Sequence, residues 1–312
     1  MNAKVNILLS TYNGEKYLSE QLDSLLQQTY RNIVIYVRDD GSNDHTLQIL
    51  EKYQTRCNKE QGGGPQIVIL QENKAVNLGY MESFWTLLRM CEKADYYAFC
   101  DQDDVWLPDK VERGVAAMEK ENNDIPLLYS SGFVYCDDKM EETGHPAQIS
   151  TPVKFKDVLF YTPAYGFTIM INNKLRQQAF AATSLEDMPH DGWCQKIATA
   201  MGKFIYDSTV TAKYRRHAST VTYAGSQKLK LLIKWLKNEI FGNGMEEYYR
   251  VLRHFYEEYA EELSDEDKER LHVFMKRENS VPFYLKRLFW KERLRPSLGG
   301  EVALRISFFL NK

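Results

Sequence analysis

The sequence predicts an α/β fold with a mixed, mainly parallel sheet flanked by helices and a helical C-terminal extension. Three observations predict it. Short apolar runs alternate with amphipathic helical segments four times before residue 101. Several of those runs end directly in polar, turn-rich loops, as buried strands of a parallel sheet do. After about residue 125 the alternation gives way to short, irregularly spaced strands, which suit a mixed or antiparallel completion of the same sheet.

In chain order, Val5–Leu9 is a buried strand stopped by Ser10-Thr11-Tyr12-Asn13-Gly14. Leu18, Leu22, Leu25 and Leu26 recur at helical spacing and predict a helix from Glu15 to about Thr29. Ile33–Val37 is a β-branched strand that breaks into the acidic turn Arg38-Asp39-Asp40-Gly41-Ser42-Asn43-Asp44. A helix at His45–Tyr53, a Gly62-Gly63-Gly64-Pro65 spacer, a strand at Ile67–Leu70, a helix at 80–93 and a strand at Tyr96–Cys100 follow. Leu127–Tyr129, Phe133–Cys136, Thr168–Ile171, Phe204–Tyr206 and Val210–Tyr214 read as short strands, with helices at about Asn173–Ala182 and Gly192–Met201 between them. From about Tyr223 the chain reads as helical, giving domains 1–222 and 223–312.

The 312 residues are 44% hydrophobic and 27% charged, which excludes a disordered chain, a collagen and a simple coiled coil. Forty basic against 43 acidic residues leave a net charge of −3, too little bulk charge for a general nucleic-acid binder. The five cysteines are scattered and form no CxxC pair, which speaks against a disulfide framework and a zinc ribbon. No signal peptide precedes Val5, and no run approaches the ~18 apolar residues of a spanning helix. The expected location is the cytoplasm, or the cytoplasmic side of a membrane.

Ligands of such sheets bind at the carboxyl ends of the strands. There the strand Tyr96–Cys100 runs into Asp101-Gln102-Asp103-Asp104. Side chains of an extended chain alternate, so Asp101 and Asp103 point the same way and need a cation or donor between them. Mg2+ or Mn2+ takes such oxygen ligands and leaves positions open for phosphate oxygens. A solvated acidic turn is the plain alternative. Asp40, directly at a strand end, can accept a pyrimidine N–H, whereas Asp44 suits an ordinary Asx turn. Asp191 opens an apolar helix, as its N-cap or as a general base aimed into the cleft. Arg215 or Arg216 suits a phosphate, and His217 a third metal ligand.

These motifs, in this order, resemble those of the family 2 glycosyltransferases with the GT-A fold, most of all the bacterial rhamnosyltransferases of cell-wall and capsular polysaccharide. The segments are Ser10–Gly14, Arg38–Asp44, Cys100–Lys110, His190-Asp191-Gly192-Trp193 and Tyr214-Arg215-Arg216-His217, and the likeness covers about residues 4–222. The resemblance implies that Ser10, Thr11, Tyr12 and Asp40 meet the nucleobase. It implies that Asn77, Gly79, Gln102 and Arg215 line the nucleotide-sugar. It further implies that Asp101 and Asp103 form the DxD pair at ribose and metal-diphosphate, that Asp101, Asp103 and His217 hold the metal, and that Asp191 is the catalytic base. Gly192 stands where similar rhamnosyltransferases often carry a second aromatic.

The implied reaction is an inverting, Mn2+- or Mg2+-dependent transfer of a sugar, L-rhamnose, from a nucleotide-diphosphate donor to a hydroxyl of a growing, lipid-linked polysaccharide. A UDP-hexose donor and an inactive sugar-nucleotide scaffold are the alternatives. A sugar-nucleotide pyrophosphorylase would want a Gly-rich basic loop after the first strand, and Ser10–Gly14 is not one. In the tail, Lys228–Lys237 and Phe283–Arg295 mix bases with aliphatic and aromatic residues, a pattern that suits peripheral contact with an anionic membrane, packing on the catalytic domain or a homodimer through the helices.

Overall fold

A computed structural model describes residues 2–59, 64–70, 76–216, 244–275 and 280–310; His217 and the basic stretch Lys228–Lys237 lie outside them. Strand β1 (Val5–Thr11), helix α1 (Leu18–Leu26), β2 (Ile33–Asp39), α2 (Thr46–Lys59), β3 (Gln66–Ile69), α3 (Tyr80–Met90) and β4 (Tyr96–Cys100) form the expected alternation. They are followed by β5 (Val105–Trp106), α4 (Lys110–Met118), β6 (Leu127–Cys136), β7 (Glu142–Gly144), β8 (Ile169–Asn172), α5 (Asn173–Ala179), α6 (His190–Met201) and β9 (Lys203–Arg215).

The sheet runs β3-β2-β1-β4-β8-β6-β9-β5, with β7 on the edge of β6. Strands β3, β2, β1 and β4 are parallel, whereas β8 is antiparallel to both β4 and β6. The core explains the continuous apolar runs. Ile7 and Leu9 bury one face of β1 against Leu18, Leu22 and Leu25 of α1, and Leu8 between them is equally buried. On the same side Val111 and Val115 of α4 join that core, while Phe84 of α3 meets Phe99 of β4 edge-on at 5.7 Å.

The chain steps outward from β1 to β2 and β3, then returns across β1 to place β4 on its other side. This reversal of strand order opens a crevice between the carboxyl ends of β1 and β4. The loops Ser10–Gly14 and Asp101–Asp104 are its two lips.

The second half departs from the sequence expectation in one respect. The two runs in 127–136 are one strand, β6, and the two in 203–215 are one strand, β9. The polar residues between those runs are satisfied inside the sheet: Ser130 Oγ meets Thr168 Oγ1 at 2.9 Å and Ser131 Oγ meets Thr211 Oγ1 at 2.6 Å. Register shifts around Gly132 absorb the extra residues of β9.

The chain divides into two compact units, the first made of Met1–Ile149, Ala164–Ala198 and Gly202–Thr220. The second takes Ser150–Pro163 and Thr199–Met201 together with Val221–Lys312. Its helices are α7 (Gly244–Tyr259), α8 (Asp265–Phe274), α9 (Val281–Leu288) and α10 (Leu298–Leu310). Phe160 anchors this unit, with Tyr248, Phe274 and Phe308 at 5.5, 5.5 and 5.2 Å. Ser264 caps α8 by accepting from Asp267 N at 3.2 Å. Among the described aromatics of the Phe283–Arg295 stretch, only Phe289 is strongly exposed. Phe283 lies under the Arg287 guanidinium and Trp290 packs edge-on against Phe274.

Candidate active site

At the end of β2 the protein supplies the partners of its own carboxylates. Alternation along the strand puts Arg38 and Asp40 on one side, and the two form a buried ion pair. Asp40 Oδ1 also accepts from Leu78 N at 2.7 Å and Oδ2 from Gly79 N at 2.9 Å. Asn77 Oδ1 accepts from the same Gly79 N–H at 3.1 Å. Asp40, Asn77 and Gly79 are therefore one assembly, braced by Arg38 Nη2, which donates to Val76 O at 3.1 Å. Oδ2 of Asp40 keeps a lone pair for a further donor. Asp39 is turned to the opposite side, where its Oδ1 accepts from Thr11 Oγ1 at 2.9 Å and from Ser42 Oγ at 2.6 Å.

One side chain closes the crevice. Gln102 accepts from Tyr12 N through Oε1 and donates to Tyr12 O through Nε2, both at 2.9 Å. Gly14 makes room for it, since a Cβ there would stand 2.3 Å from Gln102 Oε1. The backbone of Tyr12 is thus held to the DxD loop, while its ring is 45% exposed and open to stack on a base. Ser10 Oγ donates to Ser83 Oγ at 2.8 Å. Thr11 is buried with its hydroxyl on Asp39, so its side chain shapes the loop and does not reach a nucleobase.

The end of β4 is built differently. Burial, then the charges of Asp103 and Asp191, push the Asp101 carboxyl up to about 7. Asp101, Asp103 and Asp191 therefore share one electrostatic neighbourhood although 88 residues separate Asp103 from Asp191 in the sequence. Asp104 turns inward, fully buried, and its Oδ1 accepts from Arg215 N at 3.1 Å. Burial and the adjacent aspartates raise its pKa well above the ordinary carboxylate range.

Arg215 differs from the phosphate-facing role expected of it. Its guanidinium is buried and fastens three segments: it donates to Asp103 O at 2.9 Å, to Asp138 O at 2.7 Å and to the Glu20 carboxylate of α1, over the Tyr17 ring at 4.4 Å. It holds the DxD loop from behind. Glu20, Tyr17 and Asp138 are supporting residues that no local motif flags. Arg216 lies over the Tyr135 ring at 3.4 Å.

Asp191 is the second residue of α6, and Pro189 occupies the capping position. Asp191 is therefore not the N-cap; its Oδ1 accepts from the adjacent Gly192 N at 2.7 Å. An acid in the first turn is favoured by the helix dipole. His190 beside it is buried between the Phe84 and Phe99 rings at 4.3 and 4.7 Å, and burial pushes its pKa down from the usual 6.5. Gly166 lets the chain pass, since a Cβ there would stand 2.9 Å from His190 Nε2. A cavity of about 730 Å³ opens beside the Leu78-Gly79 turn, lined by Tyr80, Glu82, Arg89 and residues 182–187.

These carboxylates fit a divalent cation. Burial first, and then the charges of Asp103 and Asp191, raise Asp101, and a cation bound there would offset both costs. Among the described residues no three His, Cys, Asp or Glu side chains converge as a complete metal site. Asp101 and Asp103 would be the protein ligands, with His217 outside the described region.

A mixed sheet flanked by helices, with a carboxylate loop at the strand-order reversal, is the architecture of the GT-A class of glycosyltransferase. Solved structures agree on the fold. The chain is similar to TarS of S. aureus in complex with UDP-GlcNAc, with a TM-score of 0.57, 16% identity, and coverage of 98% of this chain and 89% of that one. It is also similar to the mannosyltransferase PcManGT from Pyrobaculum calidifontis in complex with GDP-Man and Mn2+, with a TM-score of 0.50, 14% identity, and coverage of 100% and 88%. Residues 6–183 match the model of glycosyl transferase family 2, and the chain belongs to that family. A dTDP-rhamnosyl transferase of Shigella flexneri, RfbG, is 27% identical over 74% of this chain and 82% of its own length. An uncharacterized glycosyltransferase of Rickettsia prowazekii is 28% identical over 72% and 68%. The protein is a glycosyltransferase.

Proposed function

We propose that this glycosyltransferase moves L-rhamnose from dTDP-rhamnose to a hydroxyl of a growing, lipid-linked polysaccharide, with inversion and with Mn2+ or Mg2+. Residues 1–222 form its catalytic domain in this reading. The observation that carries the chemistry is that Asp101, at the end of β4, is buried within reach of the charges of both Asp103 and Asp191. The likeness to the Shigella flexneri rhamnosyl transferase supports the donor.

The Tyr12 ring stacks on the base, and Asp40 Oδ2 accepts from a base N–H. Asp101, Asp103 and His217 would hold the Mn2+ or Mg2+, which would supply positive charge to the departing diphosphate. Asp191 accepts the proton of the acceptor hydroxyl as its oxygen attacks the anomeric carbon opposite the leaving group. That single displacement needs no protein nucleophile.

Calorimetry with dTDP-rhamnose and UDP-GlcNAc, in Mn2+ and in EDTA, tests the reading. The expected result is binding of dTDP-rhamnose that requires Mn2+ and is lost in Asp103→Ala. Equal affinity in EDTA overturns the metal role, and preference for UDP-GlcNAc overturns the donor.

A further inference from the structure

Helices α9 and α10 each turn an apolar row to solvent. The row on α9 and its C-cap is Val281, Leu285 and Phe289, and the row on α10 is Leu298, Val302 and Ile306. Each is spaced by four residues, one stripe of a helix, and all six side chains are between 44 and 75% exposed. Neither helix lacks an inward face. Arg287 is buried in α9, and Glu301, Ala303, Leu304, Ser307 and Phe308 are buried in α10. Arg305 of α10 ties the two together by donating to Leu288 O and, at 3.0 Å, to Trp290 O. Single exposed apolar residues are ordinary; six large ones in two rows on tied helices call for a partner.

The charge around the rows selects the partner. Residues 280–310 carry six basic and two acidic side chains. Both acids are turned inward: Glu292 pairs with Arg270 at 2.9 Å, and Glu301 accepts from Leu294 N and Arg295 N at 2.8 and 2.9 Å. Lys286, Lys291 and Arg293 are exposed, Lys286 within 3.3 Å of the exposed Glu269 carboxylate of α8. A second copy packed on this face about a two-fold axis would bring those cations against their own equivalents. An anionic lipid surface takes both features, apolar rows into the acyl boundary and cations onto headgroup phosphates. No described helix is long and apolar enough to cross a membrane.

We propose that the outward rows of α9 and α10, rimmed by Lys286, Lys291 and Arg293, form a docking face that lies on an anionic bilayer. The test is co-sedimentation of the full chain with vesicles of phosphatidylglycerol and phosphatidylcholine, and with phosphatidylcholine alone. Wild type is expected to bind the anionic vesicles at low salt and to release them as salt rises. The triple variant Leu285→Gln, Phe289→Ser, Leu298→Gln should bind them about tenfold more weakly or worse, with an unchanged circular-dichroism spectrum. A second variant, Lys286→Glu, Lys291→Glu, Arg293→Glu, keeps the apolar rows and should lose the preference for anionic lipid. Absence of binding by wild type, or binding by the triple variant equal to wild type, overturns the proposal. So does a dimer in sedimentation velocity that the triple variant abolishes, which would give the face to a second copy. Vesicle binding is read without donor or acceptor, so its failure leaves the transferase reading standing.

Discussion

The ends of β2 and β4 carry similar acidic sequences, Arg38-Asp39-Asp40 and Asp101-Gln102-Asp103-Asp104, and the fold treats them in opposite ways. Around Asp40 the protein places a guanidinium and two backbone N–H groups. Around Asp101 it places two more aspartates. Carboxylates neutralised from within shape a loop. Carboxylates that are buried beside like charge are costly to ionise, which is why the proposed reading places the cation at this end of the sheet.

The largest expected effect lies at the β4 end. Asp191→Asn should lower transfer by about 10²–10⁴-fold while calorimetry shows donor binding retained; near-normal turnover removes Asp191 from the role of base. Next, the two ends should respond with opposite sign when a charge is removed. Arg38→Ala strands buried Asp40 and should cost about 3–5 kcal/mol in denaturant unfolding. Asp101→Asn relieves repulsion and should stabilise the metal-free protein; destabilisation there would break the contrast between the ends. The pH dependence follows the same sign. The Asp101 carboxyl lies at about 7 in the fold against an ordinary 3.8, so its stabilising contribution, full below about pH 4, is lost as pH rises to about 7. Thermal unfolding in EDTA should show that slope, and Asp101→Asn should flatten it. The smallest effect belongs to Gly14→Ala, which displaces Gln102 from Tyr12 and should weaken donor binding by roughly 2–10-fold in calorimetry.

The first four strands were legible because each is a run of apolar residues ended by a polar loop, and the DxD and Asp191 segments stood out as acids at element ends. Other features were hidden for physical reasons. β6 and β9 read as broken strands because Ser130, Ser131 and Asp207-Ser208-Thr209 interrupt the apolar pattern, and only the neighbouring strands reveal that Ser130 and Ser131 are paired. Arg215 looks like a phosphate ligand by type and position. Its engagement with Glu20, 195 residues away, exists only once the chain has folded. Thr11 and Asp39 are adjacent across the parallel β1–β2 register and far apart in the chain, so the inward turn of the Thr11 hydroxyl had no local signal. His190 drew notice only as the neighbour of Asp191, yet it packs the start of α6 against Phe84 and Phe99.

Gln102 has a consequence for thermodynamics. With one amide it grips both backbone groups of Tyr12, so the Ser10–Gly14 lip and the Asp101–Asp104 lip are a single lever. Whatever steadies one steadies the other. In the proposed reading, where one lip takes a nucleoside and the other a cation, that shared grip would link the two reciprocally, each occupant raising the affinity of its partner by the same factor.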